Sequence, residues 1–396
     1  MTSVRFLQIH TLHSYTAALL NRDDSGLSKR LPYGGVLRTR ISSQCLKRHW
    51  RKPDGNSKVD LEPHAISKVE GFVDSFRSRE LVTKMVFAPL RLKFPEKAEA
   101  LKVLETEFQK AVYGEDKGAE KKTRQTLLFG APELAWLAAE AEKLATSVSD
   151  AKAAKKAAED WSGGGKEKKE FKKNIEVLRE NTALPGGLIA ALFGRMVTSD
   201  TAANIEAPVH VAHSFTVHAA ENESDYFTAV DDLKEEDDDS GADTIQETEL
   251  TSGLYYGYVV IDLPGLIKNC GGDADKASAT ALAANIVHNL LYLIAEVSPG
   301  AKLGSTAPYD RASFLLVEAG DRQPRSLAGA FRKAVEPDLD QAVHALARHL
   351  KQLDEVYATD EARQYLSLSD IALDGAERGS LAKLAAWARD RAGETQ

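Results

Sequence analysis

The sequence predicts an α+β fold, a sheet with appended lobes, from three observations. β-rich segments stand at 4–13, 35–42, 251–263 and 309–318. A long helical pattern over about 275–297 separates the last two. Residues 56–184 change character, with segments rich in Ala, Glu, Lys and Leu. Strand–helix–strand units interrupted by a helical insert belong to the α+β class. The chain's 396 residues are enough to bury a core and to divide into two or three lobes. No internal repeat is visible.

VRFLQIHTLH (4–13) reads as a central strand. A polar loop, NRDDSGLSKRLPYGG (21–35), closes on Gly34-Gly35. GVLRTRIS (35–42) is a second strand, and alternation puts Arg38 and Arg40 on one face. Ser42-Ser43 can cap a helix running to about Lys52, stopped by Pro53-Asp54-Gly55. Helices follow around 97–112, 131–148 and 150–161. GGG (163–165) breaks them and KEKKEFKKNIEVLREN resumes the pattern, with Lys and Glu alternating as on a solvated face. LPGGLIAALFGRMVTS (184–199) returns to an apolar core element, and VHVAHSFTVH (209–218) alternates like a strand. DDLKEEDDDSGADTIQETE (231–249) is a polar loop and TSGLYYGYVVIDL (251–263) a strong strand. YDRASFLLVE (309–318) is another strand, and the tail from Ser326 onward looks mostly helical.

A composition of 43% hydrophobic and 28% charged residues is that of an ordinary globular protein. No apolar run approaches the ~20 residues a bilayer requires. The opening MTSVRFLQIHTLHS lacks the apolar segment and cleavage site of a secretory signal, so the cytoplasm is the expected compartment. Cys45 and Cys270 support neither a disulfide framework nor a thiolate zinc site. The net charge of −8 argues against a generic nucleic-acid binder. The charge is segregated, however. Residues 1–52 hold ten Lys or Arg against Asp23 and Asp24, whereas residues 231–249 hold ten Asp or Glu against Lys234. Local charge decides what a surface attracts.

On a helical wheel at about 100° per residue, Gln44, Lys47, Arg48 and Arg51 share one arc, with Lys52 at its edge. Cys45, Leu46, His49 and Trp50 take the other side. The helix can therefore pack on the sheet and still present three cations and an amide together. The neighbouring strand adds Arg38 and Arg40, the loop adds Arg22, Lys29 and Arg30, and amides near Ser42 and Ser43 favour an anion. Cations for charge and polar donors for positioning are what a phosphate backbone requires. The competing explanation is that these bases keep an exposed helix soluble or pair with the acidic loop at 231–249.

LNRDD (20–24), GG (34–35), RTRISSQCLKR (38–48), FGRMVTS (193–199), FTAVDDL (227–233), TSGLYYGY (251–258) and VSPGAK (297–302) occur in this order. Together they resemble the CasC family, the backbone subunits of type I-E CRISPR Cascade complexes within the Cas-seven superfamily. The resemblance covers the N-terminal sheet region and most of 184–303. It implies an RRM-like (ferredoxin-like) palm from 1–55, 185–196 and 250–396, the last part with C-terminal helices. It further implies a helical finger over 56–184 and a β-ribbon or loop thumb over 197–249. The implied partners are CRISPR guide RNA, the target DNA strand paired to it, further copies of the chain stacked head to tail, and other Cascade subunits, with no membrane and no cofactor. Carried over by motif, Arg22, Lys29, Ser42, Gln44, Lys47 and Arg51 are expected backbone contacts, and Met196 matches a position that packs against guide bases. Arg40 and Arg48 join them from the basic cluster, and His213 from a thumb ribbon touching RNA or a neighbouring copy. Two departures stand out: Cys45 replaces an expected Ser, and the acidic run 234–243 exceeds the family's usual length.

His210, His213 and His218 invite a metal, but strand alternation keeps them from converging without a break. His10 and His13 likewise fall on opposite faces. Asp23-Asp24 could hold a metal for RNA cleavage, as an aspartate does in related type III backbone subunits, yet no third ligand stands nearby and Arg22, Lys29 and Arg30 are ready partners. No P-loop exists, and GGGKE (163–167) only superficially resembles one. The expectation is therefore a non-enzymatic RNA-binding protein with no metal. A ribonuclease using Asp23 or Asp24 and a non-assembling single-strand RNA binder are the alternatives.

Overall fold

The computed structural model describes residues 4–53, 61–114, 124–162, 175–176, 178–180, 182, 184–197, 200–229 and 244–395. The acidic run 234–243 and the GGGKE segment lie outside these residues, while 244–249 of the expected acidic loop are strand. By internal contacts the chain forms two units, one of residues 1–69, 209–263 and 283–396, the other of 70–208 and 264–282.

In the first unit β1 (Phe6–Ala18) is buried without a break over Phe6–Leu12, where both of its faces are covered. β2 (Arg30–Tyr33) and β3 (Val36–Ile41) form a hairpin around Gly34 and Gly35. Both glycines take positive φ, as a two-residue hairpin loop demands, and a Cβ on Gly34 would collide with the Arg332 carbonyl. α1 (Ser43–Arg51) follows, capped by the Ser42 hydroxyl and with Arg48, His49 and Arg51 in its last turn.

β4 (Ser75–Ser78) and β5 (Leu127–Gly130) pair with each other, in the second unit. α2 (Ala98–Tyr113), α3 (Ala131–Ser147) and α4 (Ala151–Ser162) start and stop within a residue or two of their predicted limits. Leu101, Leu104 and Phe108 of α2 form their core with Leu137, Ala141 and Ala158, and Trp161 stacks on Phe108 at 3.8 Å. α5 (Leu188–Phe193) and the segment 185–196, assigned by resemblance to the palm, cluster with this unit.

The first unit resumes at β6 (Val209–Val211) and β7 (Ser214–Thr216), two short strands where one was expected. β8 (Asn222–Ala229) and β9 (Thr244–Asp262) come next. β9 has 19 residues and two roles. Residues 251–262 pair with β1, and 244–251 pair with β8 as a two-stranded ribbon. α6 (Lys276–Glu296) leads to β10 (Phe314–Gly320). By length and composition alone α6 is apolar enough to cross a membrane, a longer apolar run than the sequence suggested. Its Ile286, Leu290 and Leu293 are buried.

The tail is helical for the larger part, as expected, but two strands interrupt it. α7 (Leu339–Tyr357) and α8 (Leu381–Gly393) flank β11 (Ala362–Ser367) and β12 (Glu377–Arg378), which extend the sheet beyond β10. Tyr365 and the half-buried Leu366 give β11 its strand character, and pairing with β10, in a register running from Phe314–Ser367 to Ala319–Ala362, realises it only in tertiary context. The sheet order is β12-β11-β10-β1-β9-β7-β3-β2. On one face Thr11, His13 and Tyr15 meet Leu46 and Trp50 of α1 and Ile294 of α6. On the other, Leu12, Tyr256 and Leu316 pack under Phe331 and under Val343 and Leu346 of α7.

That second face holds a polar network. His10 Nε2 donates to Glu318 at 3.0 Å while Tyr256 donates to His10 Nδ1 at 2.9 Å. The Tyr256 oxygen accepts the Leu327 N–H at 3.0 Å, which is consistent with a neutral His10. Arg325 grips Glu318 with two 2.8 Å bonds, and Arg363 joins Glu318 at 2.7 Å to Asp354 of α7.

Candidate nucleic-acid interface

Most of the predicted contacts gather at the β2–β3 edge. The loop 21–29 is bound to α1 through Asn21, whose carboxamide oxygen accepts the Ser42 N–H at 2.9 Å and whose carbonyl accepts the Lys29 N–H at 3.0 Å. The Ser42 hydroxyl is buried and accepts the Cys45 N–H at 3.3 Å, so its present role is to start the helix. Gln44 and Arg48 are exposed, and Lys47 and Arg51 half-buried, on the arc the wheel predicted. Ser43 and Trp50 are buried beneath them. Burial, and then the neighbouring Arg51, hold the Lys47 ammonium below its ordinary pKa. A bound anion would relieve that crowding.

Arg40 and His213 come together although 173 residues separate them. The Arg40 guanidinium donates to His213 Nδ1 at 3.0 Å and to the Arg30 carbonyl at 3.3 Å. Burial, then Arg40 and Lys29, lower the His213 pKa, so the ring is neutral at pH 7. Arg22 is exposed and bridges to Ser28 across the loop. Arg30 pairs with Glu249 at the base of the β8–β9 ribbon, so one of the bases does answer an acidic residue.

Arg38 does not belong to the cationic surface. It is fully buried and donates to the carbonyls of Tyr33 at 3.2 Å, Thr216 at 3.0 Å and Phe331 at 3.0 Å. Strand alternation gave it the same face as Arg40, but β7 and the 327–331 turn close over it. Cys45 is an unreactive neighbour, its thiol pushed up to about 11 by burial. His49 donates from Nδ1 to the Cys45 carbonyl at 2.8 Å and accepts the Gly300 N–H at 3.3 Å, tying α1 to the VSPGAK segment.

Two residues inside the quoted motifs hold positions the sequence did not assign. Asn21 locks the basic loop to α1. Lys302 donates to Thr248 at 3.1 Å and lies 4.6 Å from the Phe227 ring centroid, fixing the ribbon base. Their signals were present, a carboxamide before Arg22 and a Lys after Pro-Gly-Ala, but only the folded partners reveal the roles.

Met196 lies in the second unit and is 70% exposed. Its carrier, Arg195, is buried and donates to Glu133 at 2.6 Å and to the Ala203 carbonyl at 2.7 Å. Arg179 completes that anchor, reaching Glu133 at 2.8 Å and Asp200 at 2.7 Å.

The three histidines do not converge. His210 is exposed, His213 faces Arg40, and His218 is buried, donating to the Ala219 carbonyl at 2.7 Å and accepting the Leu254 N–H at 3.2 Å. The Asp23 carboxylate accepts the N–H groups of Ser25 at 2.9 Å and Leu27 at 3.0 Å, which shapes its own loop. Among the described residues neither Asp23 nor Asp24 joins a cluster able to hold a metal ion.

A family model described as CT1975-like protein matches residues 7–388. A solved chain of a CRISPR RNA-guided surveillance complex in a pre-nicking state is similar to this chain, with TM-score 0.76 and 24% identity, covering 98% of this chain and 100% of that one. A chain of a further CRISPR RNA-guided surveillance complex is similar with TM-score 0.56 and 20% identity, covering 97% and 99% respectively. No curated protein matches.

Proposed function

We infer that this chain, which belongs to the CT1975-like protein family, is a backbone subunit of a CRISPR RNA-guided surveillance complex that grips guide RNA by its sugar-phosphate chain. The observation that carries the reading is the continuous basic edge, where Arg22 and Lys29 of one loop, Arg40 with His213, and Gln44, Lys47, Arg48 and Arg51 of α1 are tied together by Asn21 and Ser42.

The order β10-β1-β9-β7, with α1 and α6 connecting β1 to β7 and β9 to β10, reads as an RRM-like palm. RRM sheets stack bases on aromatic residues of their open face. Here Tyr256 on that face is buried under Phe331 and α7. Base stacking there is closed off, which leaves the edge and a sequence-blind phosphate grip. The β8–β9 ribbon is the candidate thumb. The type I-E assignment, pairing of the held guide with target DNA and a non-enzymatic role are parts of the same proposal.

A grip that ignores sequence has no reason to stop at one site, and head-to-tail contacts between unlike surfaces propagate. RNAs of graded length, mixed with the protein and weighed by native mass spectrometry, should give complexes whose mass rises in equal steps of one protein per fixed RNA increment. A one-to-one complex at every length would reject assembly in favour of simple RNA binding, and RNA shortened by magnesium would favour the nuclease. Lys47→Ala with Arg51→Ala should weaken binding of all RNA sequences alike. It should also flatten the log–log salt dependence by about 0.7 per lost contact. An unchanged slope would mean that these residues only solubilise the helix.

A further inference from the structure

A different cluster of ligating groups lies in the first unit. The chain reads Glu62-Pro63-His64, and the structure turns both side chains toward the C-terminal end of α6. There His288, Tyr292 and Glu296 form a stripe at i, i+4 and i+8. One ligand atom each from Glu62, His64 and Glu296 lie within 4.8 Å of one another, all three residues half-buried.

The imidazole is held in place before any ion arrives. It lies flat on Tyr292, with ring centroids 3.6 Å apart and planes 4° from parallel. Its Nδ1 sits 3.7 Å from the Glu62 carboxylate and is buried without a hydrogen-bond partner among the described residues. The turn itself is fixed: Ala65 N–H donates to the Glu62 carbonyl at 3.1 Å, and Asn289 donates to the Ala65 carbonyl at 3.4 Å.

Electrostatics point the same way. Glu296 is the last residue of α6, where unpaired carbonyls already carry the negative end of the helix dipole. Its ion-pair partner is Arg311 at 3.5 Å, whose side chain is 82% exposed and therefore heavily screened. Two carboxylates, a helix C-terminus and an imidazole nitrogen without a donor converge on one small volume.

We propose that Glu62, His64 and Glu296 bind a divalent transition-metal ion of the zinc class, stapling the 62–65 turn to the end of α6. Imidazole with carboxylates suits zinc and its neighbours, whereas calcium and magnesium select oxygen alone.

Full-length protein, stripped by dialysis against a chelator, should take up one equivalent of zinc in a calorimetric titration. Cobalt in its place should give the visible absorption of a four- or five-coordinate ion. His64→Ala and Glu296→Gln should each weaken binding at least about tenfold, while His344→Ala, on α7, should leave it unchanged. No uptake, or uptake that both variants retain, would overturn the site. If a variant folds poorly, X-ray absorption at the cobalt edge of the unsubstituted protein decides the matter. One imidazole with carboxylate oxygens supports the site, and oxygen ligands alone reject it.

Discussion

Glu318→Ala should destabilise the first unit by about 3–5 kcal/mol, read as a lowered urea midpoint in circular dichroism. The carboxylate is fully buried and binds His10, Arg325 and Arg363, so its loss leaves two guanidinium groups short of their counter-charge. A loss below about 1 kcal/mol, the scale of an exposed pair, would show that the network does not hold the sheet to α7. The same network sets the acid response. The hydrogen bonds from His10 and Arg325 outweigh burial and keep Glu318 far below the ordinary carboxylate value of 4.5. Its contribution is present above that value and is lost as pH falls below it. Burial holds His10 below its ordinary 6.5, so the unfolded chain binds more protons there and stability already begins to fall below about pH 6.5. Both groups act in one direction, and Glu318→Ala should remove the steeper, lower-pH part of the loss.

Arg38→Ala is expected to cost about 3–5 kcal/mol, because two buried carbonyls and one half-buried carbonyl lose their donor at about 1–3 kcal/mol each, partly offset by relaxation. Arg38→Lys should not rescue it, since a single ammonium cannot reach the carbonyls of Tyr33, Thr216 and Phe331 together. RNA affinity per folded molecule should survive in both variants while Arg40→Ala reduces it. If Arg38→Ala instead leaves the urea midpoint in place and lowers RNA affinity, the residue belongs to the binding surface after all.

The contrast between Arg38 and Arg40 shows where sequence stops. Their alternation correctly describes a strand, but which of them is covered depends on carbonyls 178 and 293 residues away along the chain. The Arg40–His213 pair has the same origin, as does β11, whose strand state exists because β10 offers it an edge. Met196 is exposed, and its support by Arg195 and Glu133 could not be read from spacing.

What the sequence determined by itself is local in cause. The Ser42 cap, the cationic arc of α1, the paired glycines of the β2–β3 turn and the limits of α2, α3 and α4 depend on neighbours within a turn or two. There, periodicity and backbone preference act directly. What only the tertiary structure decided is which of those charges face water. A guanidinium is worth the same to a helix wheel whether solvent or three carbonyls receive it, and long-range strand pairing makes that choice.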